Sequence, residues 1–198
     1  MQALEGIKGL DFCRNAPGMF CTMILGDLGA DVIKIEPPEG SQSRTMGPFL
    51  DGVSEPEGSL RFFAFNRNKR GVTLDLTRDE GRQALKSLAR KADFIIESAR
   101  PEEMNRLHIG FDDLKQSNPR IVYVAITPFG QDGPYAELAA NDLTLAAMGG
   151  QMSVQGDPNR APVRITVPQV WLHASAEAVV GALTAHARML TTGEAQFV

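Results

Sequence analysis

The sequence has little cysteine, few histidines and no long hydrophobic run, and each scarcity excludes a class of protein. Cys13 and Cys21 are too few for a disulfide framework, and their spacing is not that of a zinc site. The three histidines occur without an HExxH or CxxC motif, so no metal centre is predicted. No run of about 18 apolar residues could span a membrane, and the N-terminus lacks the pattern of a secretion signal. We therefore expect a cytoplasmic protein.

A strong excess of charge of either sign is also absent. Lys and Arg total 20 against 24 Asp and Glu, which gives a formal net charge of −4 in 198 residues. This balance argues against a nucleic-acid or membrane-surface partner, although a local basic cluster could bind one phosphorylated ligand. Hydrophobic residues make up 43% and charged residues 22%, as in globular proteins, so residues 1–198 are predicted to form one folded domain.

Short apolar runs alternate with longer amphipathic stretches along the chain. This alternation is typical of an α/β fold with a parallel sheet and flanking helices. The predicted strands are Ile7–Phe12, Asp31–Ile35, Gly71–Leu76, Ala92–Ile96 and Ile121–Ile126. The predicted helices are Gly18–Leu28, Arg78–Arg90, Phe111–Gln116, Asn141–Met148 and the long helix Val170–Leu190. Thr77 and Glu80 are spaced as a capping box for the second helix. Proline and glycine mark Glu36–Leu60 as a long loop.

Motifs for common enzyme chemistries are missing, but cationic residues recur near strand ends. GxSxG and GxGxxG are both absent, which excludes the usual hydrolase and dinucleotide sites. Cys13 follows the first strand, where it is either a reactive thiol or, as we favour, a small buried residue. The cationic residues that could converge on phosphate groups are Arg67, Lys69, Arg70, Arg100 and Arg106. The pattern alone leaves open whether they bind phosphate or are solvated surface charges.

Six segments, in one order along the chain, resemble the family III CoA-transferases, which include α-methylacyl-CoA racemase. These segments are LEGIKGLDF (4–12), LGADVIKIEPP (28–38), NRNKRGVTLDL (66–76), ADFIIESARP (92–101), NPRIVYV (118–124) and FGQDGPY (129–135). The resemblance implies a Rossmann-like fold that is the N-terminal half of a longer subunit. It also implies an interlocked homodimer, or a heterodimer with a homologous subunit.

The same resemblance implies where the ligand lies and what it is. CoA or acyl-CoA would be a substrate rather than a permanently bound cofactor, and a carboxylic acid would be the second substrate. The adenine and ribose would contact Leu74, Asp75, Leu76 and Thr77, with Ser98, Ala99 and Arg100 nearby. Arg106 matches an arginine that contacts the CoA phosphates. Arg14, Ala16 and Pro17 belong to the segment that approaches the thioester.

The sequence departs from the family at the catalytic carboxylate. The family's nucleophilic aspartate would align with Trp171, whose indole offers one N–H donor and no nucleophile. Glu177 is six residues further along the predicted helix and would point elsewhere. The chain could therefore be a transferase subunit with a nucleophile from elsewhere, a non-catalytic CoA-binding subunit, or another acyl-CoA enzyme. Racemisation is disfavoured because Asn141 stands where the racemases have a histidine.

Overall fold

A computed structural model describes residues 2–14 and 16–198, and only the backbone of residues 16 and 17. Its centre is a six-stranded, fully parallel sheet in the order β3-β2-β1-β4-β5-β6. The strands are β1 (Lys8–Asp11), β2 (Asp31–Glu36), β3 (Arg70–Thr73), β4 (Phe94–Glu97), β5 (Val122–Ala125) and β6 (Gln196–Phe197). The predicted parallel α/β sheet is thus confirmed, and its strand order reverses between β1 and β4.

Seven helices accompany these strands in the described part of the chain. They are α1 (Ala16–Asp27), α2 (Leu60–Asn66), α3 (Asp79–Ala89), α4 (Glu103–Arg106), α5 (Phe111–Ser117), α6 (Asp142–Met148) and α7 (Val170–Thr192). Five of them were predicted within about two residues of their observed bounds, whereas α2 and α4 were not. No described helix is long and apolar enough to cross a bilayer.

Both faces of the sheet are buried, as expected for parallel strands. On one face, α1 and α7 pack against the centre of the sheet through a cluster that includes Met19, Leu25, Phe94, Val122 and Ala182. On the other face, α3 and α5 contribute to a cluster that includes Leu10, Leu85, Ile95, Leu114 and Tyr123. Because helices pack on both faces, a ligand site is expected at the carboxyl ends of the strands.

The capping box predicted at Thr77 is wrong. The α3 helix begins two residues later, and its N-cap is Arg78, whose side chain caps nothing. The Thr77 hydroxyl and N–H instead donate to Asp75 Oδ1, at 2.6 and 3.0 Å. A local turn closed by an aspartate competes with helix capping, and here it prevails. The strand that precedes it ends at Thr73, so residues 74–78 form a connection at the edge of the sheet.

Candidate functional site

A cleft of about 1100 Å³ lies at the carboxyl ends of β1, β2 and β3. Its lining comes from residues 12–14 after β1, 35–42 around the end of β2, and 74–78 after β3. The α4 region closes the remaining side with Glu103, Met104, Arg106 and Leu107. Ligands of open parallel sheets bind outside the carboxyl ends of the strands, so this cleft is the candidate functional site.

The cleft brings together six of the residues that the sequence pointed to. Arg14, Leu74, Asp75, Leu76, Thr77 and Arg106 all line it, although they come from three separate parts of the chain. Ser98 lies behind Arg14 and accepts a hydrogen bond from its N–H at 3.2 Å. Ala99 is buried, and Arg100 lines a separate pocket of about 240 Å³. The side chains of Ala16 and Pro17 lie outside the described residues.

Of the five cationic residues considered for phosphate binding, Arg106 alone lines the cleft. Arg67 forms an ion pair with Asp27, and Arg70 forms one with Asp31. Lys69 is buried against Asp11, as described below. The interpretation of these residues as one convergent phosphate site is therefore wrong. Most of them stabilise the fold instead.

Ion pairs already occupy two of the three arginines that line the cleft. Arg14 contacts Glu103 at 2.6 Å, and Arg78 contacts Asp75 at 3.2 Å. Arg106 is exposed and, among the described residues, has no carboxylate within ion-pair distance. Its guanidinium is therefore the cation in the cleft that an anionic ligand could bind without displacing a carboxylate.

One wall of the cleft is the segment after β2, and a half-buried arginine holds it in place. Arg44 makes a two-point contact with Glu36 through its Nε and Nη2 atoms, each at 2.8 Å. Its third contact is with Glu57, also at 2.8 Å, and its guanidinium lies 3.8 Å from the centre of the Phe62 ring. Burial alone would raise the pKa of Glu36, but hydrogen bonds from Arg44 and the Ser41 N–H outweigh it and lower that pKa.

A buried charge network centred on Asp11 lies next to residues 12–14, which line the cleft. Lys34 Nζ is 3.1 Å from Oδ1 of Asp11, and Lys69 Nζ is 2.8 Å from Oδ2. Thr22 also donates to Asp11 Oδ2, at 2.6 Å, and the Cys13 N–H donates to Oδ1 at 2.8 Å. Burial raises the pKa of Asp11, but the two lysines more than compensate and hold it far below its usual value.

The same network fixes the start of the segment that follows β1. Lys34 Nζ donates to the Cys13 carbonyl oxygen as well as to Asp11. Sequence reasoning missed this function of Lys34, although a signal was present. A lysine within the otherwise apolar run 32–35 must find a buried partner, because an isolated buried charge is very costly.

Cys13 is a packed core residue rather than a nucleophile. Its thiol is buried and donates to the Ile96 carbonyl oxygen at 3.4 Å. Burial raises the pKa of Cys13 well above its ordinary value, so the thiol stays protonated near neutral pH. Both cysteines are free. The expectation of a small buried residue at this position is confirmed.

Trp171 lies in the first turn of α7 and is half-buried. Among the described residues, those that line the cleft do not include it. The preceding residue, Val170, donates its N–H to Asp142 Oδ1 at 3.2 Å, and Arg164 contacts the other oxygen of Asp142 at 3.0 Å. Asp142 therefore anchors the start of α7, and both of its oxygens are engaged.

Asn141 and Glu177, neither of which the sequence predicts to be catalytic, lie in a helix cap and on an exposed helix surface. Asn141 is the N-cap of α6, and its Oδ1 accepts from the Thr144 N–H at 3.0 Å, which is a structural function. Glu177 is exposed on α7. Within residues 2–14 and 16–198 no cluster of His, Cys, Asp and Glu side chains could hold a metal ion.

The chain matches one protein family over almost its whole length. A family model described as CoA-transferase family III matches residues 4–198. Relatives include an acyl-CoA transferase of Fusarium pseudograminearum, 39% identical over 94% of this chain and 42% of the relative. The human succinyl-CoA:glutarate CoA-transferase is 34% identical over 100% of this chain and 44% of the relative. The succinyl-CoA:(R)-benzylsuccinate CoA-transferase subunit BbsE of Thauera aromatica is 34% identical over 91% of this chain and 44% of the relative.

Solved structures agree with this match. A CAIB/BAIF family protein from Brucella suis has a TM-score of 0.92 at 35% identity, covering 100% of this chain and 52% of its own. An aspartate-to-alanine variant of Rv3272 from Mycobacterium tuberculosis has a TM-score of 0.87 at 32% identity, with coverage of 100% and 53%. The chain thus spans about half the length of the proteins it matches.

Proposed function

Because this chain belongs to CoA-transferase family III, we propose that its cleft binds the nucleotide part of CoA or an acyl-CoA. The complete protein would move CoA between carboxylic acids, with CoA as a substrate rather than a permanently bound cofactor. The observation that carries this proposal is that Arg14, residues 74–77 and Arg106 line one cleft. Its volume of about 1100 Å³ exceeds the roughly 300–1,000 Å³ of most small-molecule sites, which suits a ligand as large as CoA.

The chemistry expected of this family needs a carboxylate nucleophile. A carboxylate attacks the thioester carbonyl, the CoA thiolate leaves, and a mixed anhydride remains. The thiolate then attacks the enzyme's acyl carbon, which releases the first acid and forms an enzyme–CoA thioester. The second acid takes over the CoA by the same steps in reverse. This is covalent catalysis, and an indole cannot perform it.

We therefore propose that this chain binds CoA without supplying the nucleophile, as one subunit of a heteromeric transferase. Trp171 at the expected carboxylate position favours this function, and a relative that is itself named as a subunit supports it. A homodimeric transferase with a nucleophile from another position is the second candidate. It receives less support, because Asp142 is engaged with Arg164 and Val170, and Glu177 is exposed.

Apolar side chains support the proposal that further protein covers part of this chain. Exposed large apolar residues between α5 and α7 are Tyr135, Leu138, Leu143, Met148, Val154, Val163 and Val167. Apolar groups that are exposed together mark interaction surfaces. We propose that the rest of the subunit and a homologous partner contact them. Two buried, free cysteines are in keeping with the proposed cytoplasmic location.

The proposed nucleotide site is tested by removing the unpaired arginine. Arg106→Ala should weaken CoA binding by about 1.5–3 kcal/mol, the usual range for a hydrogen bond to a charged group, as measured by titration calorimetry. Arg120→Ala is the matched control, because Arg120 is exposed and does not line the cleft. Equal affinities of the Arg106→Ala variant and the unaltered protein would contradict the proposal.

The proposed lack of a nucleophile has its own test. The protein is incubated with acyl-CoA and borohydride, which reduces an enzyme-bound thioester to an alcohol, and its peptides are analysed by mass spectrometry. We expect no reduced carboxyl group on this chain, and a reduced aspartate on a co-purified homologous subunit. A reduced carboxyl side chain on this chain would overturn the non-catalytic function.

A further inference from the structure

The ion pair between Arg14 and Glu103 spans the two sides of the cleft. Arg14 follows β1, whereas Glu103 begins α4, and Arg14 Nη2 lies 2.6 Å from Glu103 Oε1. The other oxygen of Glu103, Oε2, accepts from the Arg100 N–H at 3.3 Å. The carboxylate is thus held by the backbone on one side and contacts the guanidinium with its other oxygen.

Glu103 also lies close in sequence to the unpaired arginine of the cleft. Glu103 and Arg106 are three residues apart on α4, a spacing that places side chains on the same helix face, and both line the cleft. A negative charge therefore contacts Arg14 and lies on the same helix face as Arg106. The side chains of Arg14 and Glu103 are 55% and 28% exposed, so a ligand can reach them.

We infer that Glu103 determines how tightly the cleft binds a phosphorylated ligand, by competing with the ligand's phosphate groups for Arg14. Glu103 neutralises Arg14 through this ion pair. A phosphate group that contacts Arg14 must replace this ion pair and approach the carboxylate. Glu103 therefore lowers the affinity for CoA. This inference rests on the proposed function, because it assumes that the nucleotide part of CoA enters this cleft.

The inference also separates ligands by their charge. Pantetheine has no phosphate group, so it gains nothing when Arg14 is released from Glu103. CoA carries several negative charges, so it gains from every cation that becomes available. Removing the carboxylate should thus improve CoA binding without improving pantetheine binding.

The test compares two glutamate-to-glutamine variants of the purified chain by calorimetric titration with CoA at low ionic strength, where charge effects are least screened. Glu103→Gln keeps an oxygen that can accept from the Arg100 N–H, and it should bind CoA about three- to tenfold more tightly. Glu5→Gln removes the same charge at an exposed position outside the cleft lining, and among the described residues Glu5 has no ion pair. It should change the affinity less than about twofold.

A variant that lacks Arg14 completes the test. In the Arg14→Gln background, adding Glu103→Gln should no longer improve CoA binding, because there is no guanidinium to release. An unchanged or weaker affinity of Glu103→Gln would overturn the inference, as would equal gains in both glutamate variants or a gain that persists without Arg14. If the unaltered protein bound no CoA, the proposed function itself would fail; the other outcomes leave it standing and refute only this inference.

Discussion

Asp11 directly precedes the cleft-lining residues 12–14 and accepts a hydrogen bond from the Cys13 N–H. It is fully buried, and it contacts the ammonium groups of Lys34 and Lys69 at 3.1 and 2.8 Å. One carboxylate therefore compensates the charge of two buried ammonium groups. Because the pKa of Asp11 is held below its usual value, its stabilising effect is complete above about pH 4 and is lost as the pH falls further.

Replacing Asp11 should cost far more stability than replacing an exposed aspartate in an ion pair. Asp11→Asn leaves two buried lysines without a carboxylate, so the free energy of unfolding should fall by about 3–5 kcal/mol. Asp31→Asn is the control, because it breaks an exposed pair with Arg70 and should cost at most about 1 kcal/mol. Urea unfolding at neutral pH measures both values. Similar losses in the two variants would show that the buried network does not stabilise the fold.

Glu97 has the opposite pH dependence. Burial raises the pKa of this carboxyl group to about 7, an effect that Glu103 reinforces and that the hydrogen bond from the Ala99 N–H only partly offsets. The folded state therefore binds the proton more tightly than the unfolded state does. Between about pH 5 and pH 7 the unfolded chain loses this proton first, so the stability of the protein falls as the pH rises.

A glutamine at position 97 should remove this pH dependence. Relative to the unaltered protein, Glu97→Gln should gain up to about 3 kcal/mol in free energy of unfolding between pH 5 and pH 8. Urea unfolding of both proteins at the two pH values gives this difference. If the stability difference between them is the same at both values, Glu97 does not titrate in this range.

At the scale of secondary structure, the wall of the cleft depends on Arg44. The segment after β2 contains 3-10 turns at Gln42–Thr45 and Leu50–Gly52, and it has no strand partner beyond one bridge between Phe49 and Ser59 among the described residues. The contact of Arg44 with Glu36 therefore connects the wall to β2, and its contact with Glu57 joins two parts of the segment.

Replacing Arg44 should loosen this wall while leaving the sheet intact. Arg44→Lys keeps the charge but cannot make the two-point contact with Glu36, so backbone amides in residues 40–59 should exchange hydrogen faster, by about tenfold or more. Hydrogen exchange followed by mass spectrometry measures this change peptide by peptide. The control is Arg61→Lys on α2, in which these amides should keep their original exchange rates. Equal exchange rates of these amides in the unaltered protein and both variants would contradict the assigned function of Arg44.

The sequence predicts the elements of this fold better than it predicts their connections. Strands such as β5 are continuous apolar runs, and α7 is a long helix followed by a glycine with φ 75° at Gly193, so local pattern was sufficient. The short helix α4 could not be found in this way, because its N-cap Glu102 adopts a left-handed conformation and caps no N–H with its side chain. The capping box predicted at Thr77 is wrong because the Thr77 hydroxyl donates to Asp75 instead.

The same contrast holds for the candidate site. The family resemblance pointed to Leu74 and Thr77, whereas the predicted strand ended at Leu76, three residues beyond its observed end. The pairing of Arg14 with Glu103 joins residues that are far apart in the chain, and no spacing rule reveals it. For the same reason the pattern left open whether Lys69 binds phosphate, since its buried partner Asp11 lies 58 positions earlier.

At the scale of the whole molecule, the strand order and the cleft belong together. The sheet reads β3-β2-β1-β4-β5-β6, and helices cover both of its faces, so the carboxyl ends of β1, β2 and β3 open into one cleft. The family match covers residues 4–198, yet the chain spans about half of its relatives. We propose that nucleotide binding and nucleophilic catalysis lie on different subunits. The first is proposed for this cleft, and the second for a carboxylate on another subunit.

The location of the nucleotide is the central claim, and photolabelling tests it most directly. The protein is irradiated with a CoA analogue that carries an azido group on adenine, and the labelled peptides are identified by mass spectrometry. The account predicts adducts within residues 74–78 or 103–107, and it predicts that excess unmodified CoA abolishes them. Adducts elsewhere in the chain that unmodified CoA prevents, or adducts at these residues that it fails to prevent, would contradict the account.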